Sequence, residues 1–260
     1  MELQTLIYEK KGPIAYVILH RPDRLNAENH EMQRELVQVF GDIDRDPLVR
    51  AVIFTGSGTK AFCAGADLKD PVTHTQANLG DFVAYHGFFF DAIQNCTKPI
   101  VCAVHGWAIG AGCQMPLCCD IIIAAENAVF QLPQVQLGIM PAYAGLTRLA
   151  RLVGKGPAAR MGLLCERVNA QEAYRIGLVS EVVPFDQLMP TAEKLAQRLA
   201  DMPPLAIRMT KEALNMGYDM PLQAAAKADG YRFMGLVGTE DREEGHLAQR
   251  EKRKPVFKGR

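Results

Sequence analysis

Two stretches, Ala61-Phe62-Cys63-Ala64-Gly65-Ala66-Asp67-Leu68-Lys69 and Gly106-Trp107-Ala108-Ile109-Gly110-Ala111-Gly112-Cys113-Gln114, decide how this chain is read. Each couples a loop of small residues to an adjoining helix start. Loops of that kind leave backbone N–H groups pointing at a ligand, and the helix dipole favours negative charge there. Two such donors converging on one thioester oxygen would form an oxyanion hole, which stabilises an enolate as charge develops. The structural alternative is that the glycines only permit close helix–sheet packing. A dinucleotide site is the other alternative for the second loop, which has Glu126 downstream. Its glycines at 106, 110 and 112 give GxxxGxG, not GxGxxG, and no second nucleotide-binding half is evident.

Around these loops the apolar pattern is that of an α/β chain. Residues 3–9 and 13–19 read as a hairpin about Lys11-Gly12-Pro13. Met32, Leu36, Val39, Phe40 and Ile43 recur at helical spacing, which predicts an amphipathic helix over 28–44. A buried strand from Val49 to Phe54, a helix over 80–95, a strand over 99–104, a short helix over 110–118 and a strand over 120–124 follow. Continuous apolar strands alternating with helices argue for sheets covered on both faces. After about residue 186 strands disappear, and helices are expected over 186–200, 204–216, 219–236 and 240–249, with Met202-Pro203-Pro204 as the clearest break.

Composition narrows the function classes. The 260 residues are 48% hydrophobic, enough for a sizeable core. Lys plus Arg equals Asp plus Glu at 29 each, so no overall field favours nucleic acid or an anionic membrane. The N-terminus lacks a signal-peptide core, and the most apolar region, 99–125, is interrupted by His105, Gln114, Asp120 and glycines. Seven cysteines with no metal-type spacing suit a reducing, cytoplasmic setting without a metal centre. Cys63 and Cys113 lie in the two donor loops, but no histidine base stands beside either in sequence, and buried cysteine usually behaves as an apolar residue.

AFCAGADLK, His105-Gly106 through Gln114, Asp120 with its apolar run and the closing Glu251-Lys252-Arg253-Lys254 occur in an order that resembles the enoyl-CoA hydratase/isomerase (crotonase) superfamily, from about residue 5 to the end. That resemblance implies a spiral of ββα turns over 1–195 and a C-terminal helical region, 196–260, that packs between subunits of a homotrimer or dimer of trimers. It implies an acyl-CoA substrate, with coenzyme A arriving as part of that substrate and no permanently bound cofactor. The family's two oxyanion amides fall at Ala66 and Ala111; many relatives have glycine at the second, so alanine requires a negative φ there. Coenzyme A is expected at Arg24, at the Ala64, Ala66, Asp67, Leu68 and Lys69 loop, and at Phe233 and Lys252 of the same or a neighbouring subunit. For Lys252 a solvated basic tail is the alternative.

The departures bear on chemistry. The two glutamates that hold water and move protons in most hydratases of the family align with Gln114 and Gln134. An amide has no titratable proton near neutral pH, so two-glutamate hydration is disfavoured. Met140-Pro141-Ala142-Tyr143-Ala144-Gly145-Leu146 replaces a typically glycine-rich stretch, and Tyr143 either narrows the acyl pocket or packs in the core. His86 stands near a position where some members of the superfamily use a histidine. Asp67 is expected at a helix N-terminus, and His105 and Asp120 in structural roles. The expected activity is an acyl-CoA lyase or isomerase that stabilises an enolate. Decarboxylation, which makes the enolate without a base, and hydrolysis are the alternatives, with a catalytically silent acyl-CoA-binding paralogue as the reading from another class.

Overall fold

The computed structural model describes residues 3–69 and 88–260. Strands β1 (Leu6–Lys11) and β2 (Ile14–Leu19) form the expected antiparallel hairpin, with Gly12 at φ 59° in its turn. Helix α1 (His30–Arg45) follows, its first turn capped by Asn29, whose side chain accepts the Met32 amide at 3.0 Å. Strands β3 (Ala51–Gly56) and β4 (Ala61–Cys63) come next, and residues 88–95 are helical (α2). Then come β5 (Ile100–Val104), β6 (Trp107–Ile109), α3 (Ala111–Gln114), β7 (Ile121–Ala125) and β8 (Val129–Gln131). The helix expected over 110–118 is broken in two. Pro116 has no N–H to continue the ladder, and a separate 3₁₀ turn, Pro116–Cys118, follows α3.

Helices α4 (Gly145–Val153) and α5 (Lys155–Leu163), strand β9 (Val168–Asn169), helix α6 (Ala170–Arg175) and strand β10 (Glu181–Val183) occupy a region for which the sequence reading drew no elements. The C-terminal helices match expectation: α7 (Phe185–Ala200), α8 (Pro204–Gly217), α9 (Leu222–Val237) and α10 (Glu240–Glu251). Helix α7 runs through residue 195 and packs on the core.

Two sheets are built, one in the order β1-β2-β3-β5-β7-β10 and one in the order β4-β6-β8-β9. The chain alternates between them. Strands β3, β5 and β7 lie parallel in the first sheet, and their successors β4, β6 and β8 lie parallel in the second. Each pair is one turn of the spiral, a repeat carried by geometry with no matching sequence repeat.

The continuous apolar runs of β3, β5 and β7 reflect burial on both faces. Val52, Phe54, Cys102, Val104, Ile122 and Ala124 face α1 and the main core. Their neighbours Ala51, Ile53, Val101, Ala103, Ile123 and Ala125 face Leu188, Ala192 and Ala196, spaced at four residues along one side of α7. No helix among the described residues is long and apolar enough to cross a membrane.

Candidate active site

The second sheet positions the site. Its parallel strands β4, β6 and β8 release three loops at their carboxyl ends, the edge where open parallel sheets present ligands. The first loop carries Ala64 to Lys69, the second Gly110 and Ala111, and the third Pro133 to Gly138. The first two touch through their backbones. A Cβ on Gly65 (φ 94°) would stand 2.8 Å from the Ile109 carbonyl oxygen, and one on Gly112 would stand 2.1 Å from that of Cys63. The glycines therefore do serve close packing, and that packing brings the two donor loops together.

Ala111 is the first residue of α3, and its φ is not positive, so the alanine is accommodated without strain. Gly110 takes the turn, at φ 56° and ψ −119°. The first four N–H groups of a helix lack intrahelical partners, and among the described residues the Ala111 amide has no acceptor. Nor does the Ala66 amide. Ala66 pairs with Glu28 in a parallel bridge in which the Glu28 amide donates to the Gly65 carbonyl (2.8 Å) and the Asp67 amide to the Glu28 carbonyl (2.7 Å), leaving the Ala66 N–H on the opposite side. The continuation of this loop, and His86 with it, lies outside the described residues.

Gln114 and Gln134 meet. Gln114 is buried, and its Nε2 donates to the Ala142 carbonyl at 2.7 Å, while the Nε2 of Gln134 donates to Gln114 Oε1 at 3.1 Å. A backbone carbonyl only accepts, so it fixes the polarity of the chain: Gln114 must turn its amide nitrogen to Ala142, and Gln134 must offer its own nitrogen to Gln114. The remaining acceptor, Gln134 Oε1, is buried and has no partner among the described residues. Gly145 makes room for this arrangement, since a Cβ there would fall 1.7 Å from Gln114 Nε2.

The Ala142 carbonyl is aimed by an unusual turn. Tyr143 and Ala144 both lie in the left-handed region, at φ 52° and 59°, where the resemblance leads one to expect glycine. Arg148 braces it, donating from Nη1 to the Tyr143 carbonyl and from Nε to Gln94 Oε1, both at 2.6 Å. The Tyr143 ring stacks beside Phe90 with centroids 6.1 Å apart, and its phenol is harder to ionise than usual, first through burial and then through the field of Glu28.

The other candidates divide. Asp67 pairs with Arg21 (2.8 Å) and accepts the Lys69 amide (3.1 Å), so it clamps the donor loop to residues 21–28. Burial opposes its ionisation, but these bonds outweigh it and hold the carboxyl below the usual range. Arg24, Leu68 and Lys69 are exposed beside the loop, Leu68 at 75%. Phe233, on α9, and Lys252, the C-cap of α10, share no hydrogen bond or ion pair with that segment among the described residues. All seven cysteines are free, and burial pushes the thiols of Cys63 and Cys113 up to about 12, which removes them as thiolate nucleophiles. His105 is structural, its Nε2 2.9 Å from the Gly56 carbonyl, and burial lowers its basicity. Asp120 accepts the Ile100 amide and Lys211 Nζ.

One buried acid beside the donor loop escapes the sequence reading. Glu28 is 4% exposed, tied by its backbone to the Ala66 loop, and its Oε2 accepts Gln33 Nε2 at 2.5 Å. Its sequence signal is an acid two residues after the Arg21 to Asn26 loop.

The chain is 39% identical over 254 residues to a short-chain-enoyl-CoA hydratase of Clostridium acetobutylicum, spanning 98% of this chain and 97% of the relative. It is 38% identical over 257 residues to a crotonyl-CoA hydratase of Syntrophomonas wolfei, spanning 99% of both. The crystal structure of an enoyl-CoA hydratase from Bacillus anthracis superposes with a TM-score of 0.95 at 33% identity, covering 99% of this chain and all of that one. The family model described as enoyl-CoA hydratase/isomerase matches residues 9–260. With two largely parallel sheets wound as one spiral and agreement along nearly the whole length, the chain belongs to the enoyl-CoA hydratase/isomerase superfamily.

Proposed function

We propose that this protein acts on acyl-CoA thioesters and holds the thioester oxygen between the Ala66 and Ala111 amides while the α-carbon takes on enolate character. The observation that carries this reading is the pair of unbonded amides at the carboxyl ends of adjacent parallel strands, in loops whose backbones touch. Each donor aimed at developing charge is worth about 2.7–4 kcal/mol in the transition state. The names of the relatives support an enoyl-CoA substrate. Exposed Arg24 and Lys69 are placed to meet phosphates of coenzyme A. Phe233 and Lys252 join them in an assembled trimer, which the exposed apolar side chains Leu214, Leu222, Phe233 and Met234 of α8 and α9 favour.

Within this class the reaction is addition of water across a 2-enoyl thioester. The buried Gln134 Oε1, without a partner among the described residues, suits a water or hydroxyl donor and repels a substrate carboxylate. Neither glutamine exchanges protons, so the acid–base group must be another residue. Decarboxylation of a malonyl-type thioester is the second reading, favoured by the neutrality of Gln114 and Gln134, because loss of CO2 leaves its electron pair in the enolate without a base. Turnover assays on crotonyl-CoA and malonyl-CoA separate the two. Loss of the crotonyl chromophore is the expected result, release of CO2 selects the second reading, and binding without turnover of either substrate overturns both in favour of a silent acyl-CoA-binding protein.

A further inference from the structure

Gln134 lies where the two donor loops meet. A Cβ on Gly110 would stand 3.7 Å from Gln134 Nε2 and 3.9 Å from Gly65 Cα, so the glutamine borders both loops. Its orientation is inherited: Gln134 Nε2 donates to Gln114 Oε1, and Gln114 Nε2 donates to the Ala142 carbonyl. Were that carbonyl to turn away, Gln114 would be free to reverse its amide. Gln134 would then reverse with it, presenting N–H where Oε1 now stands.

The Ala142 carbonyl belongs to a turn that L residues resist. Tyr143 and Ala144 hold φ of 52° and 59°, which crowds each Cβ against backbone oxygen. Such residues persist where their surroundings over-determine them. Two of the turn's bonds are ordinary backbone ones, from the Gly145 amide to the Ala142 carbonyl (3.0 Å) and from the Arg148 amide to that of Ala144 (2.7 Å). The carbonyl between them, that of Tyr143, is taken by the Arg148 side chain. Nη1 donates to it at 2.6 Å, Nε donates to Gln94 Oε1 at 2.6 Å, and Nη2 lies 3.8 Å from Asp91 Oδ1. Gln94 and Asp91 both belong to α2, and the Arg148 side chain is 16% exposed. The planar guanidinium thus fastens the left-handed turn to a second element, in a fork that an ammonium group does not reproduce.

We propose that Arg148 is a positioning residue of this site: by holding the Tyr143–Ala144 turn left-handed it keeps Gln134 Oε1 turned as an acceptor for water, a role that rests on the hydration reading above. Arg148 itself touches no reacting atom. It acts through Ala142, Gln114 and Gln134 in series.

The test compares Arg148→Met in the native turn and in a Tyr143→Gly, Ala144→Gly background, where glycine takes positive φ without a brace. In the native turn kcat on crotonyl-CoA is expected to fall at least about tenfold with KM within about threefold, whereas in the glycine background the same change should cost less than about threefold. Crystals of Arg148→Met should show Gln114 Nε2 more than about 3.5 Å from the Ala142 carbonyl, outside hydrogen-bond reach. Arg148→Lys, which keeps the charge without the fork, is the second variant should methionine fail to fold, with the same expected pattern. An equal loss in both backgrounds, no loss in either, or a Gln114 to Ala142 bond intact in the variant crystals overturns the assignment. Wild-type enzyme that leaves crotonyl-CoA unchanged removes the hydration reading alone, and the crystal distance still decides whether Arg148 sets the glutamines.

Discussion

Replacing Ala111 by proline removes one of the two proposed oxyanion donors and little else. The lost N–H has no acceptor among the described residues, so no hydrogen bond seen there is broken. Proline is well suited to the first position of a helix, where its fixed φ is already that of the helix. The residue before it is Gly110, which offers no Cβ for the ring to strike. Stability should therefore change by no more than about 1 kcal/mol. Catalysis should not be spared: a single donor of this type is worth about 2.7–4 kcal/mol, so kcat on crotonyl-CoA should fall by about 10²–10³-fold. The loss should appear mainly in kcat, since the bond to the enolate is stronger than the bond to the ground-state carbonyl. The assay is steady-state turnover beside a thermal melt. A folded variant with wild-type kcat would refute the reasoning and with it the oxyanion role of the second loop.

The remaining predictions concern the surrounding frame. Gly145→Ala places a methyl where Gln114 Nε2 now lies and should displace that side chain from Ala142 and Gln134, costing about 1–3 kcal/mol and most of the activity, as read by urea denaturation and turnover. Asp241→Ala leaves the Lys258 and Gly259 amides without their acceptor and should free the C-terminal segment, seen as faster tryptic cleavage after Lys258; unchanged cleavage would count against the anchor. The Asp67 carboxyl is held below its ordinary value of 3.8, so its bond to Arg21 stabilises the fold above that pH and is lost as pH falls through the depressed value. The urea midpoints of wild type and Asp67→Asn should accordingly differ at pH 7 and converge toward pH 3.

Much of this was legible in the chain. The run of β-branched and small residues in Ile121 to Ala125 announces a strand covered on both sides, and the glycines at 65 and 112 announce backbones in near contact. The two glutamines were singled out by their position in the resemblance. Their bond to each other was not, because it depends on a carbonyl aimed by two left-handed residues, Tyr143 and Ala144, whose conformation no local propensity predicts. Glu28 was hidden for a related reason. Taken with the periodicity of α1 it reads as a polar residue at a helix start, and only pairing with Ala66, far along the chain, carries it inside. The elements between 125 and 185 are short, and the two-residue β9 owes its existence to β8 and not to its own sequence.

Because each coil of the spiral lays one strand in each sheet, the two amides and Gln134 sit on three successive coils. The gap between neighbouring coils is then a ladder repeat, fixed by main-chain hydrogen bonds and not by side-chain fit. Such a gauge holds its width whatever side chains line it, so residues at the strand ends can change without rebuilding the frame that spaces the loops.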